Sequence, residues 1–260
     1  MRRLGFIASA FLMASTLACG GGSSAPASPP APTAPAVDPA TAGSITALVI
    51  FDGAPPPVEM VRLDADRKCV TANGAAERPA ESIVLGPQIN ANEPHRSLQN
   101  VFVYVKDGLG NLAFPVPTEP VLLDQEKCRY TPRVLGVRVG QPIAIRNGDP
   151  LLHNVRADPK INQPFNMGEP LQGVSFTRTF STREVMVPIK CDVHAWMNAW
   201  LGVLDHPFFG TTGANGHVQL NGLPPGTYTI EAWHEQLGTR AETVTIAAKE
   251  SKDVRFTFAR

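Results

Sequence analysis

The chain has 260 residues, of which 43% are hydrophobic and 18% charged, so it is long enough and apolar enough to fold around a core. Lysine plus arginine and aspartate plus glutamate both number 23. No basic stripe is visible, which excludes the usual pattern of a nucleic-acid-binding protein. The 25 prolines and 22 glycines, together with a scarcity of long helical patterns, predict an all-β fold of many short strands joined by turns.

The first residues are typical of an exported protein. Two arginines precede an apolar run over residues 4–17, which has signal-peptide length and is too short to span a bilayer comfortably. The run ends in TLAC, which resembles a bacterial lipoprotein signal. That resemblance implies removal of residues 1–18 and lipidation of Cys19, with an ordinary cleaved signal as the alternative. Residues 19–42, rich in glycine, alanine and proline, then predict a tether.

Alternating or apolar runs bounded by turn residues predict the strands in chain order. The predicted strands are 44–51, 101–105, 120–123, 134–139, 143–146, 176–180, 184–189, 201–204, 228–233, 242–246 and 253–258. Residues 64–92 are predicted to be polar and irregular, and residues 156–173 to form a long loop. The pattern indicates two sandwich-like units.

One short segment between two predicted strands concentrates metal-binding side chains. Residues 190–200 read KCDVHAWMNAW, with Cys191, His194 and Met197 spaced three apart, and upstream NGDPLLHNV places His153 at a strand end. Two imidazoles, one thiolate and one thioether form the ligand set of a blue-copper site, because soft sulfur stabilises Cu(I) while imidazole serves both oxidation states. The pattern therefore predicts one copper ion. Zinc is the rival, since it accepts cysteine and histidine but gains little from methionine.

The sequence HNV after an N-x-D turn, followed by C-x-x-H-x-x-M, resembles the cupredoxins, and the short loop is most similar to the amicyanin type. The resemblance implies a Greek-key β-sandwich over residues 120–206 with the four ligands named above. It implies that Asn154 ties the two ligand loops together by hydrogen bonds. It also implies that His194 is the more exposed ligand and serves as an electron port, with an apolar rim drawn from Pro150, Leu151, Leu152 and Trp196.

The two cysteines outside the lipoprotein and copper motifs are Cys69 and Cys128. In an oxidising compartment they most simply form a disulfide. Two free, buried thiols are the alternative.

The C-terminal part of the chain carries a second signature. Its residues TTGANGHVQLNGLPPGTYTIEAW resemble the carboxypeptidase regulatory-like, or transthyretin-like, domain. The resemblance implies a small β-sandwich without catalytic residues, which serves as a spacer or interaction module. We expect it to be discontinuous, with residues 43–119 and 207–260 on either side of the inserted copper domain. Three consecutive pieces are the alternative.

Together these patterns predict a lipid-anchored protein of the cell envelope, facing the periplasm or the cell surface, that carries single electrons. Its expected partner is a redox protein such as a c-type cytochrome or a periplasmic dehydrogenase. An enzyme is not expected, because no catalytic triad or paired carboxylates are evident and the His-x-His pairs of multicopper oxidases are missing. A copper store, chaperone or sensor, or a structural surface protein, are the alternative functions.

Overall fold

A computed structural model describes residues 37–92 and 94–260. These residues form twenty strands and one helix, so the all-β prediction is confirmed. The predicted leader, Cys19 and residues 19–36 of the predicted tether lie outside the described residues. No helix in the described part of the chain is long and apolar enough to cross a membrane.

The described strands are two to nine residues long. The first elements are β1 (Gly43–Phe51), β2 (Met60–Arg62), α1 (Arg67–Asn73), β3 (Glu77–Pro79), β4 (Leu85–Gln88), β5 (Arg96–Leu98) and β6 (Phe102–Asp107). The middle elements are β7 (Val121–Gln125), β8 (Tyr130–Thr131), β9 (Val134–Arg138), β10 (Ile143–Asn147), β11 (His153–Ala157), β12 (Phe165–Glu169), β13 (Ser175–Arg178), β14 (Glu184–Lys190) and β15 (Asn198–Leu204). The last are β16 (Phe209–Thr211), β17 (His217–Leu223), β18 (Gly226–His234), β19 (Gly238–Ile246) and β20 (Ser251–Phe258).

Two sheets combine strands from both ends of the described chain. In one, β1 pairs antiparallel with β17 and β5 and parallel with β20, and β4 extends it beyond β5. In the other, the order is β16-β6-β18-β19. These two sheets, called the first sandwich below, enclose one core of apolar side chains, which includes Ile45, Val103, Leu220, Ile230 and Phe256.

Two further sheets use the intervening residues, and the predicted copper ligands lie at the start of β11 and in the loop between β14 and β15. Their orders are β13-β10-β7-β8 and β12-β11-β14-β15-β9. Within them β10 pairs parallel with β7, and β15 pairs parallel with β9. Their apolar faces form a second core, which includes Leu123, Ile145, Val155, Val187 and Leu201.

Two predicted irregular regions contain regular structure. Strand β12 lies inside the predicted loop 156–173. Its residues form a strand because they pair antiparallel with β11 over the whole length of β12. Residues 64–92 contain α1, which Asp66 caps by accepting a hydrogen bond from the Lys68 amide. Leu63 and Cys69 pack into the second core, although the predicted boundaries place them in the other domain. The domain boundaries themselves stay a prediction.

A pair of glycines lies where the two cores meet. Gly136 of β9 and Gly202 of β15 are partners in the parallel ladder. A Cβ added at Gly202 would stand 2.5 Å from the Phe102 ring, and one at Gly136 would stand 2.4 Å from the Phe209 ring. The two rings pack at a centroid distance of 5.7 Å. Because neither glycine has a side chain, the Phe102 and Phe209 rings of the first sandwich pack directly against the backbone of β9 and β15.

Candidate metal centre

Two strands and one tight loop bring three of the predicted ligands together. His153 is the first residue of β11, and Cys191 follows directly after β14. The Nδ1 atoms of His153 and His194 are 3.1 Å apart, and Sγ of Cys191 lies 3.9 Å from Nδ1 of His194. All three side chains are buried. The two imidazoles and the thiol thus face one point inside the protein.

These separations fit a common metal ion. At metal–nitrogen and metal–sulfur distances of about 2.1 and 2.3 Å, ligand atoms around one ion stand about 3 to 4 Å apart. Met197 is 1% exposed and belongs to the same core cluster as Cys191. A thiol and two imidazole nitrogens suit transition metals such as copper or zinc better than calcium or magnesium, which prefer oxygen ligands.

Backbone hydrogen bonds hold the 191–197 loop closed. The Cys191 amide donates to the Met197 carbonyl at 3.2 Å, and the Met197 amide donates to the His194 carbonyl at 2.9 Å. The His194 amide donates to Sγ of Cys191 at 3.4 Å, a contact that favours a sulfur carrying negative charge. The loop therefore presents Cys191 and His194 on the same side.

Asn154 connects the segment after His153 to the segment after Cys191 by hydrogen bonds. Its Oδ1 accepts from the Asp192 amide at 2.5 Å, and its Nδ2 donates to Oδ1 of Asn166. Asn166 in turn donates to the Asp192 carboxylate at 2.8 Å. The Tyr130 hydroxyl donates to the Asn154 carbonyl at 2.6 Å. The segment after His153 is therefore joined to the residue after Cys191.

A buried carboxylate, which the sequence analysis did not single out, holds His153. Oδ2 of Asp149 lies 2.9 Å from Nε2 of His153, and the Asp149 carboxylate also accepts from the amides of Lys127 and Cys128. Burial alone would lower the pKa of His153, but the hydrogen bonds and charges of Asp149 and Cys191 outweigh it and raise that pKa to about 9. With Nε2 facing Asp149, Nδ1 is directed to the centre of the cluster.

The surroundings of Cys191 favour its ionised, thiolate form. Burial would raise its pKa, but hydrogen bonds from His153, His194 and two backbone amides dominate and lower the pKa to about 6. The thiolate is the form of cysteine that binds metals. The structure thus favours the ligating form of Cys191 at neutral pH.

The prediction that His194 opens onto the surface is wrong. Its side chain is only 2% exposed, because Asp66 at the start of α1 covers the outer ring nitrogen at 3.3 Å. Among the predicted rim residues, Leu151 is buried while Pro150 and Leu152 are exposed. Trp196 is half-buried, with its ring centroid 5.1 Å from that of His194. An open imidazole edge framed by apolar side chains is therefore not what the structure shows.

Cys69 and Cys128 form a disulfide in the structure. One sulfur lies in a cluster with Asp66 and His194, and the other in a cluster with Asp149 and His153, each within 4.8 Å. The Trp196 indole N–H donates to the Cys128 carbonyl at 3.1 Å. The bridge therefore packs directly behind both histidines, a position that the distance between the cysteines in sequence did not reveal.

Comparisons with known proteins give only weak similarities. No protein-family model and no curated protein matches the chain. Among solved structures, a copper-containing nitrite reductase from Thermus scotoductus is 21% identical over 38% of this chain and 25% of its own, with a TM-score of 0.32. A reduced tryptophan-to-tyrosine variant of amicyanin is 21% identical over 34% and 85% of the two chains, with a TM-score of 0.30. A purple cupredoxin from Nitrosopumilus maritimus is 21% identical over 32% and 98%, with a TM-score of 0.28.

The chain thus covers only a quarter of the nitrite reductase. Similarity at these levels of identity and TM-score does not assign a function to this chain.

Proposed function

We propose that the protein binds one copper ion through His153, Cys191, His194 and Met197 and transfers single electrons in the cell envelope. The observation that carries the proposal is the convergence of Nδ1 of both histidines and Sγ of Cys191, three side chains that are all buried. Copper bound there would supply one-electron chemistry between Cu(II) and Cu(I). Zinc remains the rival metal, because it accepts the same three ligands.

The surrounding residues contribute rigidity. Asp149 fixes the His153 ring, the loop hydrogen bonds fix Cys191, and Asn154 joins the two segments. A ligand set that cannot relax between two preferred geometries lowers the reorganisation that accompanies electron transfer. This rigidity supports an electron carrier rather than a metal-delivery protein, whose ligands have to open.

The cellular setting belongs to the same proposal. The N-terminal pattern supports export and a lipid anchor at Cys19, and the partner would be a one-electron redox protein such as a c-type cytochrome or a periplasmic dehydrogenase. The balanced charge supports no nucleic-acid partner. We propose no enzymatic reaction for the chain.

The experiment is a titration of the metal-free protein with Cu(II), followed by visible absorption and copper analysis. We expect one copper per chain and an intense visible band from the thiolate. Cys191→Ser removes the thiolate and is expected to abolish the band, whereas His217→Ala, at an exposed histidine, retains it. A band of equal intensity in Cys191→Ser, or zinc binding without colour in the presence of copper, would contradict the proposal.

Electron transfer itself requires a second measurement. A fast electron self-exchange rate, measured by NMR line broadening in mixtures of oxidised and reduced protein, is the expected result. A coloured protein with very slow exchange would favour a copper store or sensor over a carrier.

A further inference from the structure

The segment that covers His194 is fixed over the metal site at four points. Oδ2 of Asp66 lies 3.3 Å from Nε2 of His194, and Nζ of Lys68 donates to the Pro150 carbonyl at 3.3 Å. Cys69 is joined to Cys128, and Nδ2 of Asn73 donates to the Lys127 carbonyl at 3.0 Å. Residues 66–73 therefore contact the His194 loop, the segment before His153 and the 127–128 turn.

Asp66 has two separate tasks, one for each carboxylate oxygen. Its backbone is extended, with φ −134° and ψ 112°, and Oδ1 accepts from the Lys68 amide at 2.8 Å, as expected of a residue that caps a helix. The second oxygen, Oδ2, is not needed for the cap. It faces the ring of His194 instead.

The ring of His194 is held between this carboxylate and the other ligands. Its Nδ1 faces Nδ1 of His153 and Sγ of Cys191, while its Nε2 faces Asp66. A carboxylate at the outer nitrogen keeps the proton on Nε2, which leaves the lone pair of Nδ1 free for a metal. Oδ2 of Asp149 faces Nε2 of His153 in a similar way, so both imidazoles have an acidic partner.

We propose that Asp66 is a positioning residue of the metal centre, whose carboxylate orients His194 and stabilises the oxidised ion. This inference rests on the proposed copper function. A negative charge beside the ligand interacts more favourably with Cu(II) than with Cu(I), because the oxidised ion carries one more positive charge. Hydrogen bonding from the ring to a carboxylate also makes the imidazole a stronger donor. Asp66 therefore lowers the reduction potential.

Two substitutions at Asp66 separate this role from helix capping. Asp66→Asn keeps a capping oxygen and removes the charge, while Asp66→Ser keeps the cap but is too short to reach His194. Asp64→Asn is the matched control, since it removes the same charge two residues away, from an exposed carboxylate paired with Arg62. All three variants are expected to fold.

The first measurement is the reduction potential, from redox titration of the visible band. At a fixed potential, the ratio of reduced to oxidised copper is expected to rise about tenfold in both Asp66 variants, which corresponds to ~59 mV for one electron. Asp64→Asn is expected to match the wild type. If the wild type shows the copper band but the Asp66 variants keep its potential, the inference is overturned while the proposed function stands.

The second measurement needs no metal. Heteronuclear NMR of the metal-free protein is expected to show the His194 proton on Nε2 and protected from exchange in the wild type, and rapidly exchanging in Asp66→Ser. An unchanged His194 ring in Asp66→Ser overturns the positioning role. Absence of a copper band in the wild type is a different result, which overturns the proposed function.

Discussion

Acidic partners of the two histidines are the part of the site that the sequence conceals. The order His153, Cys191, His194, Met197 predicts a metal site, because these ligand types follow one another at strand ends. Nothing in a linear pattern indicates that Asp66, more than a hundred residues before His194, lies against its ring. Asp149 is four residues before His153, close enough in sequence for the two side chains to suggest a contact.

Asp149 is expected to stabilise the fold as well as the ligand. Asp149→Ala removes the acceptor of two backbone amides, at Lys127 and Cys128, and of the His153 ring. Because buried donors without partners are costly, we expect a loss of about 2–4 kcal/mol in the free energy of unfolding. Urea denaturation of the metal-free protein measures it. Asp158→Ala, at an exposed carboxylate paired with Arg156, serves as control and is expected to change stability by less than about 1 kcal/mol.

His206 and His234 are both buried, and burial lowers the pKa of each to about 4, so both are neutral at pH 7. Nδ1 of His234 accepts from the amides of Gln236 and Leu237, and burial lowers its pKa to about 4. The folded-state pKa lies below the unfolded value of about 6.5, so the unfolded chain binds the proton first. Stability is therefore full above pH 6.5 and falls as the pH drops towards 4.

His234→Asn tests this pH dependence. The asparagine oxygen can replace Nδ1 as acceptor but does not titrate. Between pH 6.5 and pH 4, we expect the free energy of unfolding to fall less in the variant than in the wild type, by up to about 3 kcal/mol. Urea denaturation across that pH range measures the difference. If the free energies of unfolding of the two proteins changed in parallel with pH, His234 would not be the source of the pH dependence.

At the scale of elements, strands with clear alternation are predictable and those defined by their partners are not. Strand β1 agrees with the predicted run to within one residue, because its apolar residues face a core. Strand β12, with the sequence FNMGE, has little apolar signal of its own and owes its strand form to pairing with β11. Helix α1 spans only two turns, too short for a visible helical period, although Asp66 and Gly74 mark its ends.

The glycine pair between the cores gives a prediction at this scale. Gly202→Ala places a methyl group 2.5 Å from the fully buried Phe102 ring, so we expect a loss of about 1–3 kcal/mol. Gly168→Ala, where a Cβ would contact nothing within 4 Å, is the control. Thermal and urea denaturation of the two variants and the wild type measure the loss of stability. Addition of Phe102→Leu is expected to relieve part of the Gly202→Ala defect, and strictly additive losses would argue against a clash at this position.

At the scale of the whole molecule, the folded part depends on contacts between distant segments. The sheets of the first sandwich combine residues 43–107 with residues 209–258, and the disulfide joins Cys69 to Cys128. Between the sandwiches, Arg133 donates twice to the Glu235 carboxylate, at 2.7 and 2.9 Å, and the Trp200 indole donates to the same group. The two signatures of the sequence predict two units, but these contacts between them follow only from three-dimensional packing.

Removal of the disulfide is expected to destabilise the whole described fold. The bridge spans a sequence separation of 59 residues, and a closed loop of that length corresponds to about 4 kcal/mol in the chain-entropy model. Cys69→Ala combined with Cys128→Ala should show this loss in urea denaturation. Treatment of the wild type with a dithiol reductant should give the same shift, and the double variant should be insensitive to it. A reductant effect that persists in the double variant would point to another cause.

Residues 66–73, which cover His194, also affect how fast ions and small molecules move between the site and the solvent. Because Asp66 covers the outer edge of His194 and the disulfide fixes the segment that follows, azide, cyanide or a competing chelator would have no direct route to a bound ion. Entry of such molecules would have to wait for residues 66–73 to lift, so uptake and loss of a bound ion would be slow and would follow first-order kinetics independent of chelator concentration.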